Sequence, residues 1–424
     1  MITTSEQRRA LVGVNLGAVL EFYDWLAYLF LIPYFGSQFF SSSEPGTVLL
    51  SSLAVFAVGT LARPLGAIVL GRMGDRIGRR PAMLASIGLM AVSSAAMAVL
   101  PTAAAIGLLA PVLLVIVRIL QGFALGPEGG ASVTLLAEVA PNARRGLYAS
   151  SVEFGVAVGG LLVAAVISVL QAWLTPAQMS TFGWRAVFGI GALLAVSTLI
   201  IRRRMPETDI ADAAARRARR PMRWIWQHDR LAFGRIVIVG GSGMALFYGF
   251  TALLPSLGPT YTPVTAGQAA HANTAATLCL LALVPLGGLL SDRIGRAWTL
   301  RLLLGLSLLT FPVVWFMRSA SAGFGPQFTA QLFASVLTAV WAGGANALYP
   351  ELLPPQARAF GVAAGFGIGV AVFGGFAPMI ASGLVGAIGL VGLAWFVVAC
   401  AAMSAVATIG LRPTARLPLP LDGA

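Results

Sequence analysis

The sequence predicts an all-α polytopic membrane protein, with 12 transmembrane helices in two six-helix pseudo-symmetric halves. Composition is the first observation behind this: 58% of the 424 residues are hydrophobic and 10% charged, with mean hydropathy +0.86. Soluble domains carry about 25% charged residues. The second is an internal repeat. Gly71-Arg72-Met73-Gly74-Asp75-Arg76-Ile77-Gly78-Arg79-Arg80 returns half a chain later as Gly288-Leu289-Leu290-Ser291-Asp292-Arg293-Ile294-Gly295-Arg296-Ala297. Glu138-x-x-Pro141-x-x-x-Arg145 likewise returns as Glu351-x-x-Pro354-x-x-x-Arg358. The third is the placement of charge. All 28 basic residues are Arg, and all but Arg63, Arg118, Arg185 and Arg318 fall in the termini and alternate loops. That is the positive-inside pattern, which puts both termini in the cytoplasm.

Taken in order, the apolar runs supply the length that a bilayer core demands, about 20 residues each. Helices are expected near 11–35, 47–70, 82–100, 111–138, 147–171 and 184–203, then near 235–258, 271–290, 298–317, 326–350, 359–383 and 387–411. The first run carries Glu21 and Asp24 and lacks a cleavage site, so it reads as a mature helix. The 49 Gly fit close helix–helix contact, as in Gly122, Gly126 and Gly130 at four-residue spacing. The expected units are 1–203, a cytoplasmic central loop at 204–234, and 235–424. The connection 202–235, which opens with Arg202-Arg203-Arg204 and continues through Arg216-Arg217-Ala218-Arg219-Arg220, reads as a tether or as a helix lying on the anionic inner leaflet.

Several function classes fall away. The net charge of +13 would suit nucleic acid, but its distribution follows the loops, so no nucleic-acid partner is expected. Cys279 and Cys400 lie in apolar helices, and His228 and His271 in a loop and at a helix end, so no metal or cofactor is expected. There is no nucleophilic triad and no Gly-x-x-x-x-Gly-Lys loop, so the chain does not read as an enzyme or an ATP-driven pump.

Ionisable residues inside membrane helices are costly and normally face a cavity or one another. Glu21 and Asp24 share one face of the first helix, with Tyr28 one turn on. They read as a proton-coupling pair, or as a structural pair bonded to Arg. At 100° per residue, Arg118, Gln121, Leu125 and Glu128 form one stripe of the fourth helix, while Glu138 points elsewhere. Arg118 and Glu128 are therefore expected to line one cavity, and Glu138 to belong to a cytoplasmic gate with Arg145 and the Asp75 loop. Arg63 and Arg185 are anion-binding candidates, because a guanidinium grips a carboxylate in bidentate fashion; beside Trp184, Arg185 also reads as an interfacial anchor. Glu153 is a candidate Arg partner and proton-coupling group, and Asn346, with Trp341, Tyr248 and Phe247, a candidate cavity lining of the second half. The repeated loops (Gly71, Asp75, Arg76, Gly78 and Arg79; Asp292 and Arg293), with Glu138, Arg145, Glu351 and Arg358, read as a gate in which Asp and Arg pair across helix ends.

The 71–80 loop and Arg118-x-x-Gln121-Gly122 resemble diagnostic motifs of the major facilitator superfamily. Glu21-Phe22-Tyr23-Asp24-Trp25, Ala62-Arg63-Pro64-Leu65-Gly66-Ala67, Gly183-Trp184-Arg185 and Phe373-Gly374-Gly375-Phe376-Ala377-Pro378 narrow the resemblance to its metabolite:proton symporter family. Gly129 departs from that pattern, which usually has an aromatic residue there, and Pro127 replaces a usual Gly. The resemblance implies proton-coupled uptake of a small organic acid or zwitterion by a monomer in a bacterial inner membrane. The alternatives are a proton-coupled exporter and a non-transporting receptor. Gly155-Val156-Ala157-Val158-Gly159-Gly160 lacks the Gly-Pro step that marks antiporters, and no loop is long enough for a sensory domain.

Overall fold

The computed structural model describes residues 4–40, 44–77, 79–126, 128–203, 221–319, 323–412 and 414–419. Eleven helices among them are long and apolar enough to cross a bilayer: α1 (Ala10–Phe39), α2 (Gly46–Met73), α3 (Pro81–Val99), α4 (Leu109–Val139), α5 (Asn142–Trp173), α6 (Pro176–Ile200), α7 (Arg230–Pro259), α8 (Gly267–Ile294), α9 (Arg296–Arg318), α10 (Phe324–Glu351) and α11 (Ala357–Ile388). The shorter apolar helix α12 (Val391–Val406) follows. The chain is a multi-pass membrane protein. Helices serve because hydrocarbon offers no hydrogen bonds, so each backbone group must find its partner within its own segment. The turn between α11 and α12 lies at Gly389, whose φ of 73° suits a residue without Cβ. The sequence pattern placed that boundary a few residues early.

The regular helices are interrupted at a few places, and these matter. α2 breaks at Ala62, so that a new segment opens with Arg63-Pro64; proline cannot donate to the turn before it. α4 is two segments, Leu109–Ala124 and Glu128–Val139. A π-helical turn, Phe247–Ala252, widens α7, and another, Val370–Gly374, widens α11. Such turns re-aim side chains and recur at functional sites.

Glycine sets the closest approaches. A Cβ on Gly122 would collide with the carbonyl of Gly59 and one on Gly126 with that of Arg63, which holds α4 backbone-to-backbone on α2. Gly130 does not continue this stripe. Beyond the break in α4 it packs on Val362 and Ala363 of α11. The first six helices meet the last six along two seams, α5 against α8 and α10, and α11 against α2 and α4. At the first seam a Cβ on Gly146 would lie 2.6 Å from Gly288 O. A linker helix, Pro221–His228, precedes α7 and buries Ile225 against Phe233, Ala357 and Ala364. The loops joining α2–α3, α4–α5, α8–α9 and α10–α11 share one end of the bundle, called here the Arg-rich end.

Gly122→Ala should therefore prevent close packing of α2 and α4, since overpacking costs about 1–3 kcal/mol or more where backbone is the obstacle. Gly88→Ala, with nothing within 4 Å of the added methyl, should be neutral. Thermal melting in detergent checks this: a clear fall in Tm or loss of monodisperse protein for the first variant, and wild-type behaviour for the second.

Candidate functional site

The two interrupted helices, α2 and α4, bring two arginines to one aromatic ring. The Arg118 guanidinium lies 4.0 Å from the Trp25 ring centroid, 4.2 Å from that of Tyr28 and 5.5 Å from that of Phe56. The Arg63 guanidinium lies 4.4 Å from the same Trp25 ring. Both arginines are buried. The rings are fixed in turn: the Tyr28 hydroxyl donates to Ser52 O at 3.0 Å, Phe56 packs edge-on against Tyr248 at 5.2 Å, and Phe22 against Phe247 at 6.4 Å. Tyr248 and Phe247 come from the π-helical turn of α7, so the second half closes over a site built by the first.

Arg118 reaches the Asp24 carboxylate through one amide. Arg118 Nη1 donates to Gln121 Oε1 at 2.8 Å, and Gln121 Nε2 donates to Asp24 Oδ2 at 2.6 Å, so one amide relays between cation and carboxylate. Ser94 stands beside Asp24, and Glu21 lies one turn along α1 from it, buried and near Tyr248. Among the described residues no hydrogen-bond acceptor meets Nε and Nη2 of Arg63, Nε and Nη2 of Arg118, or Nε1 of Trp25, all buried. The Tyr248 hydroxyl faces Arg63 and Trp25 without closing a bond to either. A buried unsatisfied donor costs about 1–3 kcal/mol, more when charged. Cation–π contacts return about 0.5–2 kcal/mol each. An arrangement of this kind is completed by an anion with several acceptor atoms. A carboxylate suits it, since its two oxygens match the guanidinium fork.

A second polar cluster lies at the seam between halves, where Glu153 of α5 stands beside Asn346 and Tyr349 of α10, all buried. A third, at the Arg-rich end, crosses the seam repeatedly. Arg145 Nη1 meets Glu351 Oε1 at 2.8 Å, and Arg296 Nη2 meets the same oxygen at 2.9 Å. Arg296 Nη1 also meets Asp292 Oδ1 at 2.8 Å. Asp292 accepts from the backbone N–H groups of Gly146 (2.8 Å) and Leu147 (3.0 Å), capping the start of α5 with a carboxylate from α8. That end of a helix carries unpaired N–H groups and favours negative charge. Arg358 Nη1 meets Glu138 Oε1 at 3.2 Å. The paired motifs are thus exchanged: Glu138 of the first copy binds Arg358 of the second, and Glu351 of the second binds Arg145 of the first.

These positions revise several expectations. Glu138 and Arg145 lie at the same end of the bundle, each paired across the seam, Glu138 with Arg358 and Arg145 with Glu351. The helical wheel from Arg118 to Glu128 assumes an unbroken helix, whereas α4 restarts at Glu128; the Glu128 side chain lies outside the described residues. So do Gly78, Pro127 and the side chains of Asp75, Arg76 and Arg79. Gly71 lies within α2, and Arg293 is exposed beside the network. Arg185 stands apart from the cage. It donates to Thr181 O at 2.7 Å and Leu100 O at 2.9 Å, with its guanidinium over Trp184, the arrangement of an interfacial anchor. Asn346 joins Glu153 rather than the arginines. Sequence reasoning left Trp25, Phe56 and Arg296 out of the site. Trp25 sits inside the Glu21–Trp25 signature, and Arg296 stands four residues after Asp292, a spacing that signals an ion pair. Among the described residues no three His, Cys, Asp or Glu are grouped to hold a metal.

Comparison with known proteins places this geometry. Residues 14–263 match the family model described as Major Facilitator Superfamily. The alpha-ketoglutarate permease of Escherichia coli (strain K12) is 35% identical over 396 residues, covering 90% of this chain and 89% of that protein. The citrate-proton symporter of Klebsiella pneumoniae is 32% identical over 383 residues, covering 89% and 85%. A putative proline/betaine transporter of Staphylococcus aureus (strain COL) is 30% identical over 403 residues, covering 91% and 84%. The solved structure of the proton:xylose symporter XylE bound to 6-bromo-6-deoxy-D-glucose superposes with a TM-score of 0.78 over 98% of both chains, at 19% identity, a likeness of fold.

The shared Glu351 oxygen makes an unequal prediction. Glu351→Gln strips Arg145 and Arg296 of one partner, and breaking a buried pair in this way costs about 3–5 kcal/mol. Arg145→Gln leaves Glu351 held by Arg296 and should cost less. Double electron–electron resonance between spin labels on the α4–α5 and α10–α11 loops should show the Arg-rich end widened far more often in Glu351→Gln. Equal populations in both variants would remove Arg296 from the network.

Proposed function

Since the chain belongs to the Major Facilitator Superfamily and, within it, to the metabolite:proton symporters, we propose that it takes up a small organic carboxylate together with protons. It is a secondary active transporter and not an enzyme. The observation that carries the choice of substrate is the pair of guanidiniums on Trp25, whose inward N–H donors lack acceptors. Arg63 and Arg118 bind the carboxylate, Trp25, Tyr28 and Phe56 hold the arginines face-on, and Tyr248 closes the cage from the second half.

Coupling follows from competition for Arg118. With Asp24 ionised, Gln121 ties the guanidinium to a resident negative charge. A proton on Asp24 removes that charge, and Arg118 is released to the incoming anion. Substrate and proton therefore load together. Glu21, beside Tyr248, and Glu153, at the seam, are the further carboxyls of this pathway, with Glu128 as a third. The exchanged ion pairs at the Arg-rich end form the gate, which must part for release. By the distribution of arginine this end faces the cytoplasm of a bacterial cell, with both termini inside and the protein in the inner membrane. One chain contains both halves and so suffices as a monomer.

Proteoliposome uptake of labelled monocarboxylates, dicarboxylates and betaine, with and without an imposed acid-outside gradient, checks this. Gradient-driven accumulation of a carboxylate is expected. Asp24→Asn should abolish accumulation while counterflow exchange persists. Arg63→Ala should weaken both by about 10–100-fold, the value of a charge-assisted hydrogen-bonded pair. Uptake of every carboxylate that ignores the gradient would sink the symport reading, and wild-type accumulation by Asp24→Asn would remove that residue from coupling.

A further inference from the structure

The chain after α12 does not leave the molecule; it returns across the gate. Thr408 and Ile409 are tied to the second half, with Arg301 Nη2 donating to Thr408 O at 3.2 Å and Arg235 Nη2 to Ile409 O at 2.8 Å. Gly410 then turns with φ 73°. Beyond it, Arg416 Nε donates to the carbonyl of Asp292 at 3.0 Å, and Leu417 O accepts from Arg145 Nη2 at 3.1 Å. Asp292 belongs to the second half and Arg145 to the first, and both are members of the ion-pair network. The last carbonyls of a helix lack intrahelical partners and carry partial negative charge. Asp292 O lies in the last turn of α8, so the Arg416 guanidinium is both donor and favourable charge there. Arg416 has φ 66°, the one non-glycine residue with positive φ among those described. Such a conformation is disfavoured for a residue with Cβ and persists where the surroundings hold it.

We infer that residues 414–419 form a strap across the Arg-rich end, positioned by Arg416, which adds to the gate and must let go before the halves part there. Its near side is anchored to the second half through Arg235, Arg301 and Asp292. Any movement of α5 away from α8 therefore breaks the Leu417–Arg145 contact along with Arg145–Glu351. The strap weights the closed state, so its removal raises the population open at this end. This rests on reading the exchanged ion pairs as a gate, and the experiment separates the two.

The reporter is Ser150→Cys in a Cys279→Ser, Cys400→Ser background. Ser150 is fully buried, and a Cβ on Gly288 across the seam would lie 2.5 Å from its hydroxyl, so it becomes reachable only when α5 and α8 separate. N-ethylmaleimide labelling is followed in membrane vesicles with the Arg-rich end outward, for wild type, Arg416→Ala, Arg416→Lys, truncation after Leu411, and Glu351→Gln. One lost hydrogen bond of about 1 kcal/mol corresponds to about fivefold. Arg416→Ala should thus label about fivefold faster and the truncation at least as fast, whereas Arg416→Lys, which can still donate to Asp292 O, should stay near wild type. If Glu351→Gln accelerates labelling and neither tail variant does, the strap is overturned and the gate stands. If none of the three accelerates it, the gate reading falls and the strap with it.

Discussion

Arg118 lies over the rings of Trp25 and Tyr28 inside a membrane protein, with Arg63 over the same indole, and a single amide, Gln121, stands between Arg118 and Asp24. Two buried like charges hold together with help from aromatic faces and from the Gln121 relay to Asp24, which offset part of their desolvation. In the proposed function the binding of a carboxylate supplies acceptors to the guanidinium donors that have none among the described residues. The helix breaks at Ala62 and Leu125 serve this arrangement. They let α2 and α4 approach backbone-to-backbone through Gly59, Gly122 and Gly126, which sets the arginines at one depth on one ring.

The proposed gate is built on a different principle. The cage concentrates its chemistry in the first half, whereas the gate divides its chemistry between halves, acid from one copy of a motif meeting base from the other. An exchanged pair cannot be satisfied within either half alone, so its ion pairs report on the seam itself. Closure at this end is worth several buried, charge-assisted contacts, and such contacts are lost together when the halves rock apart. In the proposed function, loading and opening need no mechanical wire: anything that favours the open state or fills the cage shifts one equilibrium between two arrangements of the bundles.

Much of this was legible in the sequence. Repeats, apolar runs and arginine placement gave the helix pattern, because membrane burial leaves a compositional mark on every segment. That Arg63, Arg118, Gln121 and Asp24 come together was legible, since a polar or charged side chain in an apolar run needs a partner there. The partners were less legible. The crossing of Glu138 to Arg358 and of Arg145 to Glu351 depends on the seam between halves, which a single motif does not encode. The helical wheel extrapolated one unbroken helix to Glu128, whereas the first segment of α4 ends at Ala124 and the next opens at Glu128. Arg185 looked like Arg63 by residue type and differs only in its depth along its helix, next to Thr181 and Leu100 carbonyls. Trp25 was hidden by its ordinariness, an aromatic residue among many apolar ones, although it is the surface on which both arginines lie.

The central claim is that Asp24 and a carboxylate substrate compete for one guanidinium, so that binding draws in a proton. Titration calorimetry of the purified protein with a transported carboxylate, repeated in buffers of different ionisation enthalpy, measures this directly. The account predicts uptake of about one proton per carboxylate bound at a pH where Asp24 is ionised in the empty protein, and none in Asp24→Asn. Binding with no proton uptake by the wild type at any pH would contradict it.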